Sequence, residues 1–358
     1  MVLVYVPVYL LLYTFQDSVI RWFTRDDMIV EQTMLYLSGA MPGMFLVGFA
    51  DLQKRWLVIM RITHVAVISN TLTIPIHYVF SYIAVYKLEL GLFGLGWAYS
   101  ASFIIVNIML YVHTKFLPGI QEAVFLPNKD TFTGLKAYMS IAIKMIGILM
   151  AFVIAMELRM IFAGQLGDTE LTATAALVNI SYAFSALSSG LQMTTSSVIG
   201  NLLGENQPEF AWKLYKTNMR VWFFIFLSMW VFMNVFAEQI CTLYSAESDA
   251  KYLEVKAMKW SATFTLLTCL KAAIQSPFIS MKKHVVVLAT QLTDYYLIGL
   301  PLSAALAFSG WGVDGLFMGG TTGTLCGFLF IAFFHSRIDY KLEAELCQKR
   351  LAEEQSQV

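Results

Sequence analysis

The feature that most limits what this chain can fold into is a series of long apolar stretches. A helix needs about 20 residues to cross the hydrocarbon core of a bilayer. Nine stretches of that size lie near residues 30–50, 62–86, 91–114, 137–164, 171–199, 213–237, 255–281, 284–308 and 312–335. No hydrophilic stretch between them is long enough for a separate domain, so the sequence predicts an all-α polytopic membrane protein.

The composition agrees with this prediction. Hydrophobic residues make up 58% of the 358 residues and charged residues only 13%, whereas soluble domains carry roughly a quarter charged residues. The net charge of zero gives no indication of a nucleic-acid partner. The four Cys and five His are scattered and predict no metal site or cofactor. Neither a phosphate-binding loop nor a nucleophile–base constellation is present, so an enzyme is not expected.

A shorter apolar segment occupies residues 2–15. At roughly 1.5 Å per residue a helix of that length does not cross the hydrocarbon core. We therefore expect it to be the end of a helix whose beginning is missing.

Basic residues orient the connections between the stretches. Of the 24 Lys and Arg, 15 fall on one set of alternate connections and 6 on the other. Because the cytoplasmic side carries the excess, the charged tail at 336–358 is predicted to be cytoplasmic. The longest polar connection, 115–136, lies on the same side and is interpreted as a linker between two halves.

Small residues recur every four positions in the last stretch, at Gly315, Gly319, Gly323 and Gly327. Such a stripe allows two helices to approach closely within a membrane. We interpret it as a packing surface rather than a ligand site.

Four motifs occur in an order that resembles a known family. The four motifs are "LVNISYAFSALSSGLQMTTSSVIGNLLGEN" (177–206), "YLSGAMPGMFLVGFADLQKRWL" (36–57), "DYYLIGLPL" (294–302) and "GLFGLGWA" (91–98). Together they resemble the MATE family (multidrug and toxic compound extrusion), in its eukaryotic form. One departure is Val198, which stands where the family usually has Arg.

The resemblance implies a two-lobed helix bundle with about ten of the family's twelve transmembrane helices present. Residues 1–114 would form an incomplete N-lobe and residues 137–335 the C-lobe. The chain is therefore expected to be an N-terminally truncated copy. The resemblance further implies a monomer in the lipid bilayer of a plasma or vacuolar-type membrane.

The activity implied by the resemblance is secondary antiport by alternating access. Organic cations, xenobiotics or metabolites would be exported in exchange for protons or sodium, without any cofactor. Two alternatives stay open: a truncated membrane protein that does not transport, and a lipid-linked flippase of the related superfamily.

Ionisable residues within membrane segments are functional candidates, because their transfer cost must be offset by partners or water. Glu157 is the first candidate. A carboxyl group in a low-dielectric cleft favours its protonated form, so it could exchange a proton for an organic cation. The resemblance implies a second acid five positions earlier, where this chain has Phe152. Arg159 lies about 200° around the helix from Glu157, and its side chain is expected to reach the outer membrane interface. The Lys144 side chain is expected to extend to the cytoplasmic interface.

Lys271 and Asp294 form a second candidate group. Lys271 could pair with Glu157 or with Asp294, and Asp294 could instead be a second proton site. The remaining candidates for contacts with substrate or protons are Asn179, Tyr295, Tyr296, Thr268 and Gln53.

Overall fold

The computed structural model describes residues 2–23, 27–60, 62–117, 135–245 and 248–355. Helices account for nearly all of these residues, and no strand occurs among them, which confirms the predicted all-α class. Contacts within the chain divide it into two compact units, residues 1–131 and 132–358. Most of the predicted linker at 115–136 lies outside the described residues, so the predicted lobe boundaries stay a prediction.

The first unit contains four helices. They are α1 (Val2–Phe23), α2 (Asp27–Ile59), α3 (His64–Tyr82, continued by a π-helical turn at Ile83–Lys87) and α4 (Gly91–Phe116). The predicted end of the first segment at residue 15 was wrong, since α1 runs on to Phe23. An i,i+4 ion pair, with Arg21 Nε 3.1 Å from Asp17 Oδ2, supports the extra turns.

Glycines of α2 hold α2 and α4 together. The Ser100 hydroxyl of α4 donates a hydrogen bond of 2.6 Å to the carbonyl of Gly39. The same hydroxyl accepts one of 2.8 Å from the amide of Gly43. Because glycine has no side chain, the two backbones approach closely enough for both bonds.

The second unit contains nine helices along the described chain, several of them joined end to end. They are α5 (Leu135–Leu166), α6 (Asp168–Gly204), α7 (Pro208–Val235), α8 (Ala237–Tyr244), α9 (Ser248–Ser280), α10 (His284–Gln291), α11 (Leu300–Leu306), α12 (Gly312–His335) and α13 (Tyr340–Gln355). A π-helical segment at Leu292–Gly299 joins α10 to α11, and another at Ala307–Trp311 precedes α12.

Seven described helical segments are long and apolar enough to cross a membrane. They are Val30–Ile59, Gly91–Phe116, Ala142–Leu166, Asp168–Gly204, Pro208–Val235, Ser248–Ser280 and His284–His335. The last contains two predicted stretches, which are separated by a kink where Gly310 has φ of 100°. The stretch at 62–86 forms α3, which is not among the seven because Asn70, Thr73 and His77 lower its hydropathy.

The glycine stripe of α12 is confirmed as a packing surface. A Cβ atom at Gly315 would lie 2.6 Å from the backbone nitrogen of Ala307, and one at Gly319 would lie 2.7 Å from the carbonyl carbon of Leu302. The Ser303 hydroxyl donates a 2.7 Å hydrogen bond to the carbonyl of Leu316 across the same interface. The helix α12 therefore packs against α11 at backbone distance.

Candidate functional site

A buried cluster of polar side chains lies inside the second unit. Lys271 of α9 is 2% exposed and Asp294 of the π-helical segment is fully buried. The Lys271 ammonium forms an ion pair with Asp294 Oδ2. It also donates a hydrogen bond of 3.2 Å to the Tyr295 hydroxyl and lies 4.5 Å from the centre of the Tyr295 ring.

Local backbone structure brings Asp294 to this position. The π-helical segment Leu292–Gly299 is wider than an α-helix, and such turns often occur at functional sites. Gly323 and Gly327 of α12 leave room for it, because a Cβ at Gly327 would lie 2.6 Å from Asp294 Oδ2. Two separate features, the π-helical turn and the glycines of α12, therefore position the Asp294 carboxylate.

Each charge of the ion pair is buried, so each requires the opposite charge of its partner. Removing one member of a buried pair leaves an uncompensated charge and costs about 3–5 kcal/mol. Asp294 Oδ1 has no hydrogen-bond partner in the described structure. The Lys271 ammonium therefore engages one of the two carboxylate oxygens, Oδ2.

This geometry decides between the partners predicted for Lys271. It pairs with Asp294, whereas Glu157 lies on the exposed surface of the second unit. Asn179 of α6 is exposed as well. The roles predicted for both residues stay predictions, as does that of Gln53, whose side-chain oxygen is buried without a partner in the first unit.

The predicted position of Arg159 was wrong. Its side chain does not reach an interface but is 2% exposed. The guanidinium carbon lies 4.6 Å from the ring centre of Phe264 and 5.2 Å from that of Phe317. The physical reason is Gly320 of α12, where any Cβ would overlap the guanidinium. A single glycine thus opens a position for a charged side chain between three helices.

A narrow cavity of about 10 Å³, enough for roughly one water-sized molecule, lies beside Arg159. Residues of α5, α6, α9 and α12 line it, among them Phe152, Met156, Arg159, Tyr182, Phe264, Thr268 and Phe317. Tyr182 is 39% exposed, so the cavity reaches the surface of this unit at that side chain. The Thr268 hydroxyl is buried and has no hydrogen-bond partner in the described structure.

Aromatic residues connect this cavity with the ion pair. The ring of Phe152, where the resemblance implies an acid, contacts Tyr182 at 6.0 Å and Tyr295 at 5.8 Å between centroids. The Tyr296 hydroxyl donates a 3.0 Å hydrogen bond to the carbonyl of Ala151, which ties the π-helical segment to α5. Tyr296 therefore has a structural contact, whereas Tyr295 belongs to the ion-pair cluster.

Sequence reasoning missed several residues of the cavity wall. Phe264, Thr265 and Phe317 line the cavity, and Ser181 shares a 3.0 Å hydrogen bond with Ser261. Nothing in the sequence distinguishes them from the many other Phe, Ser and Thr residues of the membrane segments. In the described part of the chain, no three His, Cys, Asp or Glu side chains come together to hold a metal ion.

Comparison with known proteins identifies the family. The family model MatE matches residues 1–83 and 141–305, which is more than half of the chain. The chain belongs to the MatE family. This family consists of transporters rather than enzymes, and the chain is accordingly a multi-pass integral membrane protein.

Two curated members of the MatE family illustrate the similarity. Multidrug and toxin extrusion protein 1 of Xenopus tropicalis is 22% identical over 338 residues, which is 94% of this chain and 59% of that protein. The probable multidrug resistance protein NorM of Bacillus licheniformis is 27% identical over 289 residues, covering 77% of this chain and 63% of that protein. The chain therefore spans about three fifths of the length of these relatives.

Solved structures of MatE-family proteins share the fold. The crystal structure of the eukaryotic MATE transporter AtDTX14 superposes with a TM-score of 0.89 at 19% identity, covering 97% of this chain and 78% of that one. A MATE structure in the bent conformation gives a TM-score of 0.78 at 18% identity, covering 96% and 77%. The predicted MATE-type helix bundle is confirmed.

Proposed function

We propose that this chain is a secondary antiporter that exports a small organic solute in exchange for protons. Membership of the MatE family supports export. The observation that carries the coupling mechanism is the buried ion pair between Lys271 and Asp294. No cofactor is required, since an ion gradient supplies the energy.

The ion pair links proton binding to the arrangement of the helices. In the arrangement described, the two charges compensate each other. Protonation of Asp294 would leave the Lys271 ammonium without its counter-charge in a position that is 2% exposed. Such a charge costs several kcal/mol, so the protonated form favours a different arrangement of α9 and the π-helical segment. A ligand that prefers one of two arrangements shifts their populations, and this preference couples proton binding to transport.

The same geometry favours protons over sodium as the coupling ion. Asp294 Oδ2 is occupied by the Lys271 ammonium, and that positive charge repels a second cation nearby. A proton can be accepted by the carboxylate without a shell of oxygen ligands.

The solute route and the membrane orientation are parts of the same proposal. Glu157, Asn179, Thr268 and Gln53 are proposed solute or proton contacts, of which Thr268 already faces a cavity. The Lys- and Arg-rich connections and α13 would face the cytoplasm. The chain would act as a monomer in the lipid bilayer of a plasma or vacuolar-type membrane.

The test is proton movement in liposomes containing the purified chain. After an inside-acid gradient is imposed, a pH-sensitive dye reports proton loss when a solute is added outside. The solutes are tetraethylammonium as a cation and benzoate as an anion, with protein-free liposomes as the blank. Wild-type protein is expected to release protons with at least one solute, and a response equal to the blank for both would refute the proposal.

Variants identify the coupling carboxylate. The double variant Lys271→Met/Asp294→Asn removes both charges and retains the side-chain shapes, so it is expected to fold but to lose solute-driven proton release. Retention of coupling by this variant would exclude Asp294 as the proton site. Glu157→Gln is the parallel test for the exposed carboxylate. Unchanged coupling at all pH values would exclude Glu157 as the proton site.

A further inference from the structure

A small group of basic side chains lies where helices α5 and α10 begin to cross the membrane. The two apolar spans begin at Ala142 and His284, so Lys144 and His284 lie within the first turn of their spans. At this level of a bilayer the hydrocarbon core meets the lipid headgroups. Cations placed here can therefore contact the phosphates of anionic lipids.

Packing of α5 against α10 brings these side chains together. A Cβ atom at Gly147 would lie 3.9 Å from Leu288 Cδ2, so the two helices contact each other at this point. Lys144 lies three residues before Gly147, which is about one helical turn. His284 lies four residues before Leu288, again about one turn. The charges of Lys144 and Lys282 both act on the His284 ring. The three side chains therefore lie at the same end of the contact between α5 and α10.

The His284 ring has a nitrogen that the described chain does not satisfy. The side chain is 6% exposed, and Nδ1 is buried with no hydrogen-bond partner among the described residues. Buried polar atoms of native proteins almost always have a partner, which can be water or a bound ion. The unpartnered nitrogen is therefore an independent indication that another molecule completes this site.

The first turn of α10 adds hydrogen-bond donors of its own. In the described structure no side chain caps this helix, whose N-cap residue is Lys283. The first N–H groups of a helix have no partner within it and carry partial positive charge, so anions bind at such ends. Glu343 of α13 approaches this turn but is already paired with Lys283, whose Nζ lies 2.5 Å from Glu343 Oε1. The end of α10 therefore reinforces the positive field of the nearby lysines.

We propose that this site binds the phosphate group of an anionic phospholipid. Lys144, which is exposed on α5, and Lys282 supply the positive charge. The α10 N-terminus and His284 supply hydrogen bonds. Inorganic phosphate offers the same chemistry, but a site at the beginning of two apolar spans favours a lipid. The inference does not rest on the proposed antiport, because lipid binding requires neither a solute nor a gradient.

The experiment is thermal unfolding of the purified full chain in a neutral detergent with increasing ligand at constant ionic strength. The ligands are dioctanoyl phosphatidylglycerol, which is anionic, dioctanoyl phosphatidylcholine, which has the same chains without net charge, and sodium phosphate. Lys144→Gln and Lys282→Gln each remove one charge, and Lys144→Arg retains it. The control is Lys259→Gln, which removes an exposed lysine close to the beginning of α9, whereas Lys282 follows the end of that helix.

Wild-type protein is expected to show a saturable rise in unfolding temperature with phosphatidylglycerol, a smaller rise with phosphatidylcholine and none with sodium phosphate. Lys144→Gln and Lys282→Gln should each raise the half-saturating concentration about fivefold, the factor expected for one basic residue at an anionic surface. Lys144→Arg and Lys259→Gln should respond like wild type. Because Lys144 is exposed, its variants are expected to fold, and Lys282→Gln gives a second, separate measurement.

Three results would overturn the proposal. Equal responses to the two lipids would show that the headgroup charge is not recognised. A rise with sodium phosphate as large as that with phosphatidylglycerol would assign the site to free phosphate instead of a lipid. Lys144→Gln and Lys282→Gln responding like wild type, or weakening binding no more than Lys259→Gln does, would place the lipid elsewhere on the chain.

Discussion

Removing one charge from the Lys271–Asp294 pair should destabilise the second unit much more than removing both. Asp294→Asn preserves the shape of the side chain and leaves the Lys271 ammonium buried without a counter-charge. Lys271→Met preserves the aliphatic stem and leaves the carboxylate buried. The double variant has neither charge, so the comparison separates the interaction from the burial of each group.

The expected magnitudes follow from the depth of the pair. Both side chains are at most 2% exposed, and breaking such a pair costs about 3–5 kcal/mol. The loss of stability in Asp294→Asn should lie near the lower end of that range. The Lys271 ammonium still has the Tyr295 hydroxyl at 3.2 Å and the centre of the Tyr295 ring at 4.5 Å. Replacing both partners by uncharged groups often changes the free energy of unfolding very little. The double-mutant cycle should therefore give an interaction energy between Lys271 and Asp294 of more than about 3 kcal/mol.

The measurement is the free energy of unfolding in mixed micelles, followed by tryptophan fluorescence during titration with a denaturing detergent. Wild type, both single variants and the double variant are compared at pH 7. The control is Lys341→Met, because the Lys341–Glu209 pair spans 3.8 Å with both side chains more than 70% exposed. Exposed pairs contribute little to stability, so this variant should unfold like wild type.

One result would refute the reasoning about the pair. If the losses of the two single variants add up in the double variant, the two side chains do not interact. The coupling mechanism proposed for transport would then lose its physical basis, since it requires each charge to depend on the other.

Further predictions concern packing, the last helix and a buried thiol. Gly319→Ala should be less stable than Gly190→Ala by about 1–3 kcal/mol, because a Cβ at Gly319 meets the α11 backbone while one at Gly190 meets nothing within 4 Å. Equal unfolding temperatures would contradict this packing. Lys283→Ala removes a 2.5 Å ion pair to α13 and should speed amide hydrogen exchange in that helix roughly fivefold. Burial and a neighbouring carboxylate raise the pKa of the Cys241 thiol to about 12. At pH 8 its alkylation by iodoacetamide, measured by mass spectrometry, should be about a thousandfold slower than in the unfolded chain, and labelling as fast as Cys347 would contradict this.

Much of the fold follows from the sequence because its causes are local. The transfer of apolar residues into lipid depends on each stretch by itself, so the membrane helices are visible as apolar runs of about 20 residues. The glycine stripe of α12 is equally visible, since residues four apart share one helix face. The end of α1 was missed because polar residues such as Asp17 suggest a boundary, whereas the helix accommodates them with an internal ion pair.

The sequence by itself thus determined that this is a multi-helix membrane protein of the MATE type and which charges within it need an explanation. Only the tertiary structure decided what each charge contacts. Lys271 and Asp294 lie 23 positions apart on different helical segments, and their pairing depends on a π-helical turn and on Gly327 of a third helix. Arg159 is buried rather than interfacial because Gly320 happens to face it. A helix's periodicity gives the direction of each side chain but not the neighbour it meets, since that depends on how separate helices pack.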